Sequence, residues 1–431
     1  MTDSRRVVVT GMGVCSAAGC DLRTFWDRLV AGVSCVRRIG RFDVSAYPSQ
    51  IAAEIDEDVL RDSTDVSPEW RTRGRIAQYA ARAASSAIAD AGLRSAAVVP
   101  RRAGVALAAG MSSYGHQEVF AACGASRPAT DSDIDWPAFA TALRTAITPR
   151  SAERRTPGSI AALVAHEAGF GGPVMGVMTA CAGATQAIGD ALNWIRSGRA
   201  DVVIAGGADS ELHPMGLASF CLLGALSRRN ATPAAASRPF DAERDGFVMG
   251  EGAGLLVLED REHARSRGAR VYAEVAGFGS ACDAYRVTDP HPEGIGAVLA
   301  MTRALHDAGS SADAVDYVNA HGTSTMANDR IETTALKRLF GDRAPFVPIS
   351  STKSILGHAT VAAGGIEAIA TALTLATQTI HPTINQEHPD PACDLDYVPN
   401  HGRPATVEIA LSNSFAFGGQ TASLVLRRYH E

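Results

Sequence analysis

The sequence predicts an α/β protein made of two related halves, and three observations carry that reading. Short apolar runs of strand length alternate with stretches of helical periodicity along all 431 residues. One such pair of runs closes a complete strand-helix-strand unit around residues 174–205. A charged segment over 259–270 then separates two successive series of this alternation, so the halves are placed at 1–258 and 259–431.

In the first half, strands are expected at about 6–10, 103–108, 174–178, 202–206 and 253–258, with helices such as 73–91 and 184–197. The run from Val174 to Met178 follows Gly171-Gly172-Pro173 and suits a buried strand. From Ala184 onward Ile188, Ala191, Leu192 and Ile195 recur at helical spacing, Gly198 suits a C-cap, and Asp201 opens the next strand. The second half opens on a strand at Val271. It continues with a helix near 293–308, a strand from Val315 to Asn319, a helix at 328–340 and a strand from Phe346 to Ser350. A helix at 361–377 and strands near 407–412 and 422–427 close the chain. Residues 125–157, rich in Asp, Arg, Ser and Pro, read as an excursion on the surface.

Composition narrows the function classes. An apolar content of 46% supports a large core, and a net charge of −6 argues against a general nucleic-acid binder. No run approaches the ~18 apolar residues of a membrane span, and Met1-Thr-Asp-Ser-Arg-Arg leads into too short and glycine-rich a run for a signal peptide. Eight cysteines without a CxxC pair point to reduced thiols and a cytoplasmic location. No Cys/His cluster has metal-ligand spacing, and Gly11-Met12-Gly13 lacks the acidic partner of a dinucleotide site, so no bound cofactor or metal is expected.

The chemistry concentrates on Cys181, in TACAGATQAIG, which falls between a strand end and a helix start. There the helix dipole and free amides favour a thiolate and can bind an oxyanion. Two imidazoles, His321 in NAHGTST and His358 in SSTKSILGH, sit in glycine-containing turns, and the set of three suggests acyl transfer. Of 40 basic residues only Lys337 and Lys353 are lysine, so Lys353 marks a place where a compact ammonium is preferred to a guanidinium fork. The remaining seven cysteines read as inert.

Five motifs in order, TACAGATQAIG, PFDAERDGFVMGEGAG, NAHGTST, STKSILGHATVAAGGIEAI and SNSFAFGGQTASLVL, resemble the β-ketoacyl-acyl-carrier-protein synthases across essentially the whole chain. NDRIETTALKR and HPDPACDLDYVP are most similar to ketosynthase subunits of bacterial type II polyketide synthases, while FCLLGALSRRNATPAAASRPFD resembles fatty-acid elongating synthases equally well. The resemblance implies the thiolase fold, two similar α/β halves in a five-layered αβαβα architecture. It implies decarboxylative condensation of an acyl group on Cys181 with a malonyl unit, both carried on the phosphopantetheine arm of an acyl carrier protein.

Site roles follow from the same resemblance. His321 and His358 would stabilise the enolate, and the amides of Cys181 and Phe417 would form the oxyanion hole. Lys353 and Glu367 would pair beside the histidines, Asp329 and Glu332 would hold the His321 loop, and Thr323 and Thr325 would bind the pantetheine arm. Phe415, Ala416 and Phe417 would form a gate, with Ala416 standing where the family has glycine. Other departures are Ala182-Gly183-Ala184 after the cysteine, Met326 in place of proline and Gln420 in place of a small polar residue. Met111 would line the acyl tunnel or simply fill core. Arg71, Arg73, Arg75, Arg228 and Arg229 form a candidate dock for the acidic carrier, against the alternative of ordinary solvated arginines. Partners would be the carrier and either a second copy or a related chain-length factor. Two further classes remain: a non-catalytic chain-length subunit, which usually lacks the cysteine, and a thiolase or thioester hydrolase, for which a second cysteine is missing at Asn413-Ser414-Phe415.

Overall fold

The computed structural model describes residues 5–58, 70, 74–93, 98–110, 116–126, 134–147, 156 and 158–430. Ten strands form its main sheet: β1 Val7–Ser16, β2 Ala103–Ala109, β3 Val174–Val177, β4 Val202–Asp209, β5 Gly252–Asp260, β6 Ala273–Cys282, β7 Tyr317–Asn319, β8 Ile349–Ser350, β9 Ile409–Phe415 and β10 Gln420–Arg427. The helices that matter for the site are α1 Leu22–Val30, α2 Arg75–Asp90, α3 Gly158–Ala168, α4 Gly183–Arg196, α5 Ile295–Asp307, α6 Met326–Phe340 and α7 Ala363–Thr377.

Strand order is β8-β7-β9-β10-β6-β1-β5-β4-β2-β3. Read outward from the middle, each half therefore runs first, fifth, fourth, second, third in its own chain order. Pairing sense repeats as well: β1 and β6 are each antiparallel to the fifth strand, which is antiparallel to the fourth, and the outer pairings are parallel. The halves meet through the short antiparallel pairing of Val8 with Glu274 and Val9 with Ala273. This is the duplication that the alternation predicts.

Helices α4 and α7 touch each other and strands of both halves, so they lie between the two five-strand units. On the outer faces α2 and α3 cover the first unit, while α5 packs on the second and α6 packs on α5. Five layers result. Close approach at the centre needs glycine: a Cβ at Gly254 of β5 would lie 2.3 Å from the Ile366 nitrogen, and one at Gly365 would lie 2.2 Å from the Gly254 oxygen. Thr360–Thr377 is long and apolar enough to cross a membrane, but 89% of it is buried inside the protein as this central helix.

Some expectations change. The run at Val174–Met178 does form a strand, but β3 pairs only with β2, leaving Val174 43% and Met178 39% exposed rather than buried. Within the 125–157 excursion, Trp136–Ala146 is a helix without a buried residue, capped by Asp135. Met111, Arg71 and Arg73 lie outside the described residues, and α2 begins at Arg75.

Candidate active site

Cys181 sits in a single tight turn, Ala180–Ala182, that feeds directly into α4. Ala180, the residue before it, is held at φ +47°, a left-handed conformation that costs an alanine energy and sharpens the strand-to-helix corner. The second half repeats this corner. Thr360–Ala362 forms the matching turn before α7, Thr360 has φ +44°, and Val361 stands where the first half has the cysteine. The thiol thus belongs to one copy of a duplicated corner.

Both histidines enter from the second half. His321 follows β7 on a loop whose amides at His321 and Gly322 donate to the two oxygens of Glu332, at 2.9 and 2.8 Å. Asp329, one turn earlier on α6, accepts from the Phe240 amide at 2.8 Å and faces Arg244 at 3.3 Å, tying that helix to the 238–244 segment. His358 is clipped by its backbone: its amide donates to Val248 at 2.7 Å and its carbonyl accepts from Gly250 at 2.9 Å.

The contacts at Nδ1 decide both tautomers. Lys353 Nζ lies 3.3 Å from Nδ1 of His321, and the Thr360 amide lies 3.2 Å from Nδ1 of His358. An ammonium and an amide can only donate, so each Nδ1 must accept and each proton must sit on Nε2. Burial holds both imidazoles well below their ordinary pKa, with Lys353 adding to the effect. The rings meet edge to face at 5.3 Å between centroids. They are neutral and donate through Nε2–H.

Burial decides the other ionisable groups too. It pushes the Cys181 thiol up to about 12 against the opposing pull of Lys353, so the thiolate expected from the helix terminus is not the resting form. Glu332 is raised to about 7, and Glu367 is raised although it is ion-paired to Lys353. Asp209, at the end of β4, is raised to about 7 for the same reason. Its carboxylate accepts from the Thr360 hydroxyl and, at 3.0 Å, from the Val361 amide.

Cys181, His321 and His358 line one cleft of about 670 Å³ together with Thr323, Thr325, Phe415, Ala416 and Phe417. Thr323 and Thr325 share a hydrogen bond of 2.9 Å, and the Thr325 hydroxyl also caps α6. Phe415 leans on His321 at 5.7 Å and Phe247 meets His358 edge-on at 5.5 Å. The Cys181 backbone amide is directed at its own sulfur, and Phe417 lines the same cleft. The arginines expected to form a dock are less uniform than their charge suggests. Arg75 is paired with Glu57 and Arg229 with Glu243, whereas the Arg228 side chain is exposed.

Sequence reasoning missed Asp209, Thr360 and Phe247. An acidic residue ending an otherwise apolar strand, in IAGGADS, was the available signal for Asp209. The others are visible only once the halves pack together.

Comparison with known proteins settles the family. Residues 4–264 match the family described as Beta-ketoacyl synthase, N-terminal domain, and residues 272–387 match Beta-ketoacyl synthase, C-terminal domain. The chain belongs to the β-ketoacyl synthase family. This synthase is 40% identical to 3-oxoacyl-[acyl-carrier-protein] synthase 2 of Coxiella burnetii, over 99% of each chain. It is 42% identical to the tetracenomycin polyketide synthase ketoacyl synthase alpha subunit of Streptomyces glaucescens, over 99% of this chain and 98% of that one. A solved ketosynthase, in complex with its type II polyketide acyl-carrier protein and bound to a hexaketide, superposes with a TM-score of 0.88. It shares 36% identity, over 99% of this chain and all of the other. The synthase is a condensing acyltransferase with the thiolase-like fold of its family.

Proposed function

We propose that this synthase is the catalytic ketosynthase of a type II polyketide system. In this reading the acyl thioester of a carrier protein reacts with Cys181: the Sγ–C bond forms, the carrier's S–C bond breaks, and the thiol proton passes to the departing carrier sulfur. A malonyl carrier then loses carbon dioxide, and the enolate oxygen receives hydrogen bonds from Nε2–H of His321 and His358. The enolate carbon attacks the acyl carbonyl, whose developing oxyanion is held by the amides of Cys181 and Phe417. Sγ leaves and takes up one proton. Thr323 and Thr325 would bind the pantetheine arm, and Phe415, Ala416 and Phe417 would gate it.

The observation that carries this chemistry is the pair of neutral histidines, both protonated on Nε2 by donor-only neighbours, in the cleft of Cys181. A single general-base histidine with a carboxylate would instead suit hydrolysis. Cys181 itself argues for the catalytic member of a pair. The polyketide assignment draws on the Streptomyces relative and on the solved ketosynthase with its carrier, to which a ketosynthase/chain length factor structure at a TM-score of 0.86 adds a heterodimeric arrangement. The synthase 2 relatives favour the second reading, fatty-acid elongation by a homodimer. Either activity would lie in the cytoplasm, with Arg75, Arg228 and Arg229 available to an acidic carrier.

Incubation with acyl carrier, read by intact mass, tests the proposal. Acylation lost in Cys181→Ala, and retained without condensation in His321→Ala and His358→Ala, is the expected pattern. Co-elution with a cysteine-lacking homologue supports the polyketide reading, whereas a homodimer that extends acyl chains through full reduction cycles rejects it.

A further inference from the structure

Outside the cleft, a second pair of cysteines is brought together. Cys15 is the last residue but one of β1, and Cys20 lies across the turn Ser16-Ala17-Ala18-Gly19 that leads into α1. Ser16 and Gly19 exchange both backbone hydrogen bonds, each 3.0 Å, and Gly19 takes the φ of +142° that this turn requires. Residues one step outward from such a doubly bonded pair form a non-hydrogen-bonded pair, the kind with the closer Cα atoms at ~4.5 Å, inside the range a disulfide can span. Here the two sulfurs are already 2.9 Å apart.

The environments differ in a useful way. Cys15 is completely buried in the same core cluster as Ile76 and Ala80 of α2, whereas Cys20 is half-buried at its rim. The hydrogen bond from Cys15 lowers the Cys20 pKa from the ordinary thiol value, and the same contact together with burial raises that of Cys15. Cys20 is therefore the more acidic and more accessible sulfur, with Cys15 in line behind it. Cys181, by contrast, is held as a thiol by burial.

We propose that Cys15 and Cys20 are a site of reversible two-electron oxidation by hydroperoxides, Cys20 being the attacking sulfur and Cys15 the resolving one. Cys20 thiolate attacks the peroxide oxygen, the O–O bond breaks, and the departing oxygen takes up a proton and leaves as water, or as the alcohol of an organic hydroperoxide, with a sulfenic acid formed on Cys20. The Cys15 sulfur then attacks that sulfenic sulfur, the S–O bond breaks, and water is released with formation of the Cys15–Cys20 disulfide. The peroxide is reduced by two electrons and two thiols are oxidised. An external dithiol reverses the step by exchange. Taken singly, as buried cysteines, these two read as inert; the hairpin pairing and the sulfur–sulfur distance are visible only in the fold.

The test uses the full-length reduced protein, treated with stoichiometric hydrogen peroxide and then alkylated with N-ethylmaleimide under denaturing conditions before peptide mass mapping. The expected result is an intramolecular Cys15–Cys20 linkage, about 2 Da lighter than the dithiol, reversed by dithiothreitol, with Cys181 still alkylated. Cys15→Ala should instead leave a Cys20 sulfenic acid trapped by dimedone, and Cys20→Ala should leave Cys15 alkylated and undamaged. Recovery of both Cys15 and Cys20 as alkylated thiols in the wild type, or pairing of Cys20 with any other cysteine, overturns the proposal without recourse to a variant.

Discussion

Lys353 bridges Glu367 and His321: its ammonium is ion-paired to the Glu367 carboxylate and lies 3.3 Å from Nδ1 of the His321 ring. All three side chains are buried. The lysine thereby performs two tasks with one charge. It opposes the burial that raises the Glu367 carboxyl, and it forces the His321 proton onto Nε2. A guanidinium is a larger planar fork that would present several donors here, whereas the ammonium places one charge between the two partners, in a chain whose only other lysine is Lys337.

Replacing Lys353 by methionine should separate the two half-reactions. Condensation should fall ~10²- to 10³-fold because the His321 donor is no longer fixed, while Cys181 should still become acylated. Burial and Lys353 both depress His321, so the variant's His321 pKa should rise and the acidic limb of its pH profile should move to higher pH. Glu367 left unpaired should cost ~3–5 kcal/mol of stability, relieved in the double variant with Glu367→Gln. Equal losses in acylation and condensation, with no movement of the profile, would show that Lys353 only supports the fold.

Asp209 holds the other histidine at one remove. It accepts from the Thr360 hydroxyl and the Val361 amide in the turn after His358, and the Thr360 amide holds His358 Nδ1. Asp209→Ala should slow condensation, up to ~10²-fold if the ring shifts by as much as an ångström, and affect acylation less. Asp209→Asn keeps one acceptor for the turn and should recover part of the rate. If single-turnover acylation drops as far as condensation in both variants, the residue does not act through His358.

Much of this site was legible before folding, and for a physical reason. Nucleophile and histidines sit in glycine-containing turns between regular elements, where few residue types satisfy the backbone, so their motifs stand out at Cys181, His321 and His358. Strand and helix positions in both halves were recoverable within a few residues because apolar periodicity is strong in buried layers. Three things were not. The exposure of Val174 and Met178 depends on which strand lies at the sheet edge, and an apolar run does not encode that. The protonated state of Cys181 depends on how completely it is buried, which outweighs the helix terminus. Asp209 acts across 151 residues of chain on Thr360, a relation that arises only from packing one half on the other.

The stability contributed by two buried carboxylates should fall as pH rises toward neutrality. Glu332 is held at about 7 by burial, above its ordinary 4.5, so the folded state binds its proton more tightly than the unfolded chain does. Its contribution is fully present below about 4.5 and is lost as pH climbs through about 7, with a slope of at most ~1.4 kcal/mol per pH unit. Asp209 has the same sign in the same window. Thermal unfolding measured from about pH 5 to 8 should show the wild-type Tm falling relative to that of Glu332→Gln as pH rises, a comparison that cancels the opposite trend set below about 6.5 by the depressed His321 and His358. Parallel curves for the two proteins would mean that Glu332 does not titrate there.

The gate proposed at residues 415–417 offers the last prediction. Ala416 stands between Phe415 and Phe417, both lining the cleft, where the family resemblance implies glycine. Its amide donates to the Gln420 carbonyl at 2.8 Å and its own carbonyl accepts from Gly419 at 3.1 Å, so the turn is closed by its backbone around a residue whose Cβ restricts φ and ψ. A few residues away the Gly418 amide is bonded to the Val287 carbonyl at 2.6 Å, coupling the turn to the 283–290 rim of the cleft. Ala416→Gly should loosen that turn and raise the Cys181 acylation rate, most for long acyl chains that need the phenylalanines to move furthest. A loss of Tm of only about one degree, from ~0.5–1 kcal/mol of added chain entropy spread over a chain of 431 residues, should accompany it. Stopped-quench acylation with carriers bearing short, medium and long chains reads the effect directly, and identical rate ratios at every length would remove Ala416 from any role in gating.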